Sequence, residues 1–354
     1  MNTKQNLTYA IANQLLELSP IVTPTHAIGA GLAVMSSLAG SGYYYKSPMN
    51  PKGEDVFSVV NQGVVLVGSS GSGKGNIIQA AKEFLMAVSP EYPIVSGFPS
   101  ANAIWQRVER DQPLMVLEHE SHHETLAKLH RGDLRNEAAR DKKAYSPVSK
   151  ASLLSRIQRE RFNWLVRPHG VKGGKSAITP APLTILGETT DTAFDDLLPE
   201  SFAGSPFYGG LLFMPTDFSL RIKNFRNWQL RPAPAGGLIE KAKLLYAKRR
   251  TDNPTLVEIS SVAEKLYKTL AVKAYADLLI PQMFCPQVLS VASLLAIGRD
   301  WENPMISESD MAEALVIGWF SCEQARLGLE GFAKPSPLTP IFEEFLGAYL
   351  NLQN

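Results

Sequence analysis

An α/β fold with a mostly parallel sheet is what the sequence predicts, and three observations predict it. Apolar runs of strand length recur at 62–68 (QGVVLVG), 113–118 (PLMVLE) and 182–190 (PLTILGETT). Such continuous runs are how strands covered on both faces read. Helical stretches separate them, and a Gly/Ser-rich loop joins the first run directly to a helix at 76–88. Strand, loop and helix arriving in that order indicate α/β architecture.

The chain has 354 residues, of which 45% are apolar and 19% charged. This is a globular composition, and the length exceeds the ~250–300 residues at which single cores stop growing. Two cysteines, Cys285 and Cys322, are too few for a disulfide framework and fit a reducing compartment; neither reads as catalytic. The first twenty residues lack the pattern of a secretion signal. The apolar segment 27–40 is too short to span a bilayer and reads as a buried helix. A cytoplasmic protein with no membrane partner is the expectation.

Two N-terminal helices, 5–18 and 25–38, precede a turn-rich stretch at 41–55. After the first strand and its helix come a short strand at 92–97, a helix at 100–110 and the strand 113–118. A helix at 150–162 and a hairpin with a basic tip follow, and then the strand 182–190. Helices dominate from residue 238, at 238–248, 260–279, 286–297, 309–327 and 341–350. The organisation expected is an N-terminal helical segment (1–60), a core with a basic hairpin insertion (61–230) and a C-terminal helical domain (238–354), with a soft boundary in the RPAPAGG stretch.

The loop Gly68-Ser69-Ser70-Gly71-Ser72-Gly73-Lys74 matches G-x-x-x-x-G-K, the phosphate-binding P-loop. Its glycines let successive backbone N–H groups close round phosphate oxygens, Lys74 reaches the β- and γ-phosphates, and the helix from Gly75 and Asn76 adds its positive end. ATP with Mg²⁺ is the expected ligand. The residue after the lysine is normally Ser or Thr, whose hydroxyl holds the metal, and here it is Gly75. Ser72, Asn76 or water could supply that oxygen, or turnover could be slow or absent.

An acid at the end of a neighbouring strand is the next requirement, to hold the metal's water shell and polarise the attacking water. Glu118 or Glu120 meets it, with ordinary exposed carboxylates as the alternative. Thr189 and Thr190, ending the strand 182–190, could bond the γ-phosphate or its attacking water, or simply cap the strand. His119-Glu120-Ser121-His122-His123 also spells H-E-x-x-H, a zinc hydrolase signature. An apolar strand runs up to Glu118, however, and Glu124 and Thr125 follow the last histidine, so a chance cluster competes with that reading.

Net charge is +1, but the segment 128–175 carries 13 Lys and Arg against 4 Asp and Glu. Within it, Arg167, His169, Lys172 and Lys175 surround a Pro/Gly tip suited to a phosphate backbone, and Trp164 could stack on a base. A solvated charged face is the competing reading.

Taken together, HAIGAGLAVMSSLAG (26–40), VVLVGSSGSGKG (64–75), SGFPSANAIWQRV (96–108), APLTILGETTDTAF (181–194) and ISESDMAEALVIG (306–318) resemble the primase-associated P-loop ATPases of phage, plasmid and other mobile elements, a family largely catalogued as a domain of unknown function. The resemblance covers roughly 19–327. It implies a RecA-like P-loop NTPase core and an oligomeric ATPase acting on DNA, with single-stranded DNA expected, as a helicase or helicase loader, together with a replication partner protein. Where that family has an arginine able to act as a finger, SPFYGGLLF (205–213) places Gly210. Arg221 or Arg226 could substitute across a subunit interface. The alternative is a nucleotide-binding regulatory or assembly protein that has lost hydrolysis.

Overall fold

Short apolar strands, buried on both faces, set the architecture. The computed structural model describes residues 6–19, 24–48, 57–96, 101–117, 182–190, 210–216, 233–251, 253–277 and 281–327. One strand in from the edge of its five-stranded sheet lies β3 (Gly63–Val67), buried at every position. It is flanked by β6 (Thr184–Thr189) and β7 (Leu211–Pro215), with β5 (Leu114–Leu117) beyond β6 and the two-residue β4 (Ile94–Val95) at the edge. All four pairings in this order, β4-β5-β6-β3-β7, are parallel. The protein is thus α/β with a parallel sheet, as the apolar runs predict.

One face of the sheet, through Val64, Leu66, Leu114, Val116, Leu186, Leu212 and Met214, joins a common apolar core with α1 (Leu7–Leu18), α2 (Pro24–Ala39) and α3 (Lys74–Val88). The small residues of α2 are what permit this. A Cβ at Gly29 would come within 2.7 Å of Met214 Cγ, and one at Gly31 within 3.1 Å of Ala12 Cβ on α1. The predicted buried helix is therefore a wedge between α1 and the sheet. Asn6 caps α1, its side chain accepting from the Thr8 N–H, and its amide also donates to the Leu295 carbonyl.

Leu295 belongs to α7 (Pro281–Arg299). This helix begins five residues before the expected start and contains Pro286 in its second turn, where the missing N–H leaves one helical bond unmade. With α5 (Gly236–Lys248), α6 (Ser261–Asp277) and α8 (Glu308–Leu327) it forms the C-terminal helical set, close to the predicted bounds; α4 (Ala101–Asp111) likewise matches.

Five strands escaped the sequence reading. β7 begins in the stretch SPFYGGLLF (205–213) and runs two residues past it. The other four, β1 (Tyr43–Lys46), β2 (Phe57–Val59), β8 (Thr255–Ile259) and β9 (Met305–Ile306), make a second sheet of order β2-β1-β8-β9. The stretch at 41–55 is therefore not turn throughout. Tyr43 and Tyr45 are buried while Tyr44 and Lys46 are not, an alternation too brief to stand out among its Gly, Ser and Pro neighbours. β1 runs parallel to β8, so segments 1–60 and 238–354 share a sheet as well as the apolar core.

β7 is the edge strand next to β3, and edge strands leave backbone groups unpaired. Two helices supply partners: the Phe213 N–H donates to Ser321 Oγ of α8 at 2.8 Å, and Gln287 of α7 donates to the Leu211 carbonyl at 2.7 Å. Ser321→Ala strands a buried N–H and is expected to cost about 1–2 kcal/mol. It should appear as a lower urea midpoint at unchanged m; an unchanged midpoint would refute the role. Among the described residues no helix is long and apolar enough to cross a membrane.

Candidate functional site

The carboxyl ends of parallel strands are where α/β proteins bind ligands, and at that edge β3 passes into the loop 68–73. Gly71 and Gly73 take φ of 76° and 87°, left-handed conformations that only glycine adopts without strain. Gly73 also stands at the N-cap of α3 with no side-chain cap bond. A glycine N-cap brings no side-chain acceptor of its own to the first N–H groups of α3, which suits an anion site. Ser70, Gly71 and Gly75 are exposed, Ser69 and Asn76 half-buried, and Ser72 and Lys74 buried.

Lys74 turns back into the loop. Its ammonium donates to the carbonyls of Gly68 (2.6 Å) and Ser69 (2.9 Å) and to Ser72 Oγ (3.1 Å), one contact for each of its three protons. A lysine this deeply buried, at 5% exposure, is held by a ring of loop oxygens. An incoming phosphate oxygen offers the same cation a charged partner in their place.

The loop's start is pinned from three directions. The Gly68 N–H donates to the Thr189 carbonyl at 3.2 Å, continuing the β3–β6 ladder in which Val67 faces Thr189. On the other side Thr216, just past β7, donates from Oγ1 to the Val67 carbonyl at 3.1 Å. His26, fully buried at the start of α2, places Nε2 3.1 Å from that same carbonyl and 3.3 Å from Thr216 Oγ1. A carbonyl only accepts, so Nε2 carries the proton. A Cβ at Gly68 would overlap Thr216 Oγ1. The glycine there makes room for this tie.

Thr189 and Thr190 therefore stand beside the loop, as their strand-end position predicts; Thr189 Oγ1 donates to the Thr190 carbonyl at 3.4 Å. Sequence reasoning passed over Glu188. It is half-buried where its β6 neighbours are buried, and both its carboxylate oxygens lie 3.7 Å from where a Cβ on Gly75 would sit. Period-two alternation could have found it: Thr184, Leu186 and Glu188 share a strand face, and Leu186 is in the core that holds α3. His26 and Thr216 carried no such signal.

Gly210 requires a correction. Leu211 is in register with Gly63 and Pro215 with Val67, so Gly210 lies beside Gln62 at the amino edge of the sheet. Gln62 Nε2 donates to its carbonyl at 3.0 Å. Six residues of strand, at ~3.3 Å each, separate that level from Gly68 by about 20 Å. An arginine there would not reach this chain's own loop, so a glycine at 210 says nothing against phosphate chemistry in it.

Glu118 and Glu120, which follow the last residue of β5, lie outside the described residues. So do His119, His123, Trp164, Arg167, His169, Lys172, Lys175, Arg221 and Arg226, the helices expected at 150–162 and 341–350, and the basic hairpin. Burial raises the pKa of both Cys285 and Cys322. Burial therefore disfavours the thiolate form of both. Among the described residues no group of three or more His, Cys, Asp or Glu could hold a metal unaided. The donors at the loop suit a hard cation that arrives with phosphate oxygens instead. No family model matches the chain, and comparison with curated proteins gives no match either.

Proposed function

We propose that this chain is a P-loop nucleotide-binding protein, with ATP and Mg²⁺ as its ligands, that couples nucleotide to DNA in the manner of a helicase or helicase loader of mobile elements. The observation that carries the nucleotide half is the loop 68–73. It has left-handed glycines, a glycine as the N-cap of α3, and a buried lysine whose donors converge inside the loop. Phosphate is the ligand chemistry that fits such a cradle. The all-parallel sheet supports a RecA-like form of this reading, because β6, ending in Thr189, stands between the P-loop strand and the strand leading to Glu118.

Thr190, beside the loop, is the γ-phosphate sensor of this proposal, and Glu118 or Glu120 the acid that polarises water. The DNA half rests on the basic segment 128–175, with Arg167, His169, Lys172 and Lys175 as its contacts, and on the resemblance to primase-associated ATPases. Oligomerisation belongs to the same proposal, since a translocating ATPase works between subunits. Gly75 favours a second reading, a nucleotide-gated assembly protein without turnover.

The test is ATP hydrolysis by the purified protein with and without single-stranded DNA. The first reading expects turnover that DNA stimulates and that Lys74→Ala abolishes. ATP binding with no turnover in either condition would leave the second standing. No ATP binding at all would sink both.

A further inference from the structure

A P-loop ordinarily places a hydroxyl directly after its lysine, to bind the divalent cation that accompanies the nucleotide. Glycine stands there in this chain. Among the described residues, and apart from its own helix and chain neighbours, a Cβ at Gly75 would meet two atoms within 4 Å, and both are Glu188 carboxylate oxygens at 3.7 Å. The two oxygens are equidistant, so the carboxylate presents its open end to the first turn of α3. A serine or threonine hydroxyl at position 75 would project into the same small volume.

Three features make this more than a chance contact. Glu188 is the one charged residue of β6, and the one half-exposed position in a strand otherwise buried. It comes from the strand paired directly with β3, where Leu66 faces it in register, so the sheet holds its backbone one residue short of the loop. Gly75 leaves the space clear, and any larger residue would narrow it. A negative charge at the mouth of a phosphate site opposes a bare polyphosphate, yet it assists a cation-bound one. Mg²⁺ is typically held by one or two carboxylates together with substrate phosphates.

We propose that Glu188 replaces the missing P-loop hydroxyl as the protein's oxygen ligand for the divalent cation of a metal–nucleotide complex, a role that rests on the loop being a nucleotide site. The chain thus moves the metal ligand from the helix to the adjacent strand and exchanges a neutral donor for an anionic one. Nucleotide binding then depends on the divalent cation more strongly than with a hydroxyl, because without the cation the carboxylate repels the phosphates.

The experiment measures Mn²⁺ uptake by electron paramagnetic resonance in the presence of ATPγS, and ATPγS affinity by calorimetry in Mg²⁺ and in EDTA. Wild type, Glu188→Gln, Glu188→Gln with Gly75→Ser, and Lys74→Ala are compared. Expected for Glu188→Gln is a loss of at least about tenfold in Mn²⁺ affinity, with ATPγS affinity in EDTA equal to or tighter than wild type. Adding Gly75→Ser, which the space at position 75 admits, restores Mn²⁺ uptake. A carboxylate that merely complements the α3 dipole would behave otherwise: Glu188→Gln would lower thermal stability and leave Mn²⁺ uptake unchanged, which overturns the proposal. If ATPγS binds in a Lys74-dependent way while Mn²⁺ affinity ignores Glu188, the metal role fails and the nucleotide site stands. If ATPγS does not bind, or Lys74→Ala changes nothing, both fail.

Discussion

Lys74→Ala is expected to weaken ATP binding by about 3 kcal/mol, roughly 150-fold, which titration of a fluorescent ATP analogue would read directly. Lys74 is the one cation in the loop, and its three contacts to Gly68, Ser69 and Ser72 hold it where a phosphate would sit. Removing it takes away the charged partner of the phosphate and leaves the loop carbonyls facing each other. Part of the loss could come from a disordered loop rather than from missing charge. Lys74→Arg separates the two, because it keeps the charge while its larger planar fork does not fit the same ring of oxygens. Arginine is expected to recover only part of the affinity. An unchanged affinity in Lys74→Ala would mean that phosphate is not bound here.

Gly68→Ala is expected to cost about 1–3 kcal/mol of stability and to reduce nucleotide affinity with it. The added methyl would overlap the Thr216 hydroxyl, whose hydrogen bond to the Val67 carbonyl ties the end of β7 to the start of the loop. Either Thr216 swings away and that tie is lost, or the loop shifts from its place beside Thr189. Thr216→Ala removes the overlapping oxygen, so the double variant should recover part of the deficit. A coupling of about 1 kcal/mol in the resulting cycle of unfolding measurements would show that the two side chains compete for one space. Strict additivity would show that Gly68 matters for its backbone alone. His26, beside Thr216 on the same carbonyl, remains in both variants and keeps the strand end anchored.

These effects arise at positions of very different visibility. Lys74, Gly71 and Gly73 form a local pattern, and their chemistry depends on neighbours in the chain, so reading along the sequence finds them. Thr190 was visible for a related reason, as the polar end of an apolar run. Gly210 shows the limit of that approach. The resemblance puts it where the family has an arginine able to act as a finger, while the parallel register of β7 with β3 puts it at the amino edge of the sheet, away from this chain's own loop.

In the sequence alone the α/β class, the buried strands β3, β5 and β6, nearly every described helix and the glycine-rich loop between β3 and α3 were already legible. All of these are written in residues close along the chain: apolar runs, helical periods, and glycines where φ must be positive. The second sheet, the capping of β7 by Ser321 and Gln287, the tie of His26 and Thr216 to Val67, and the carboxylate of Glu188 beside Gly75 were decided only by the tertiary structure. Each joins residues from well-separated parts of the chain, and no local pattern encodes which strand becomes the neighbour of which. Strand order and register made that choice, and with it they set the Glu188 carboxylate beside Gly75.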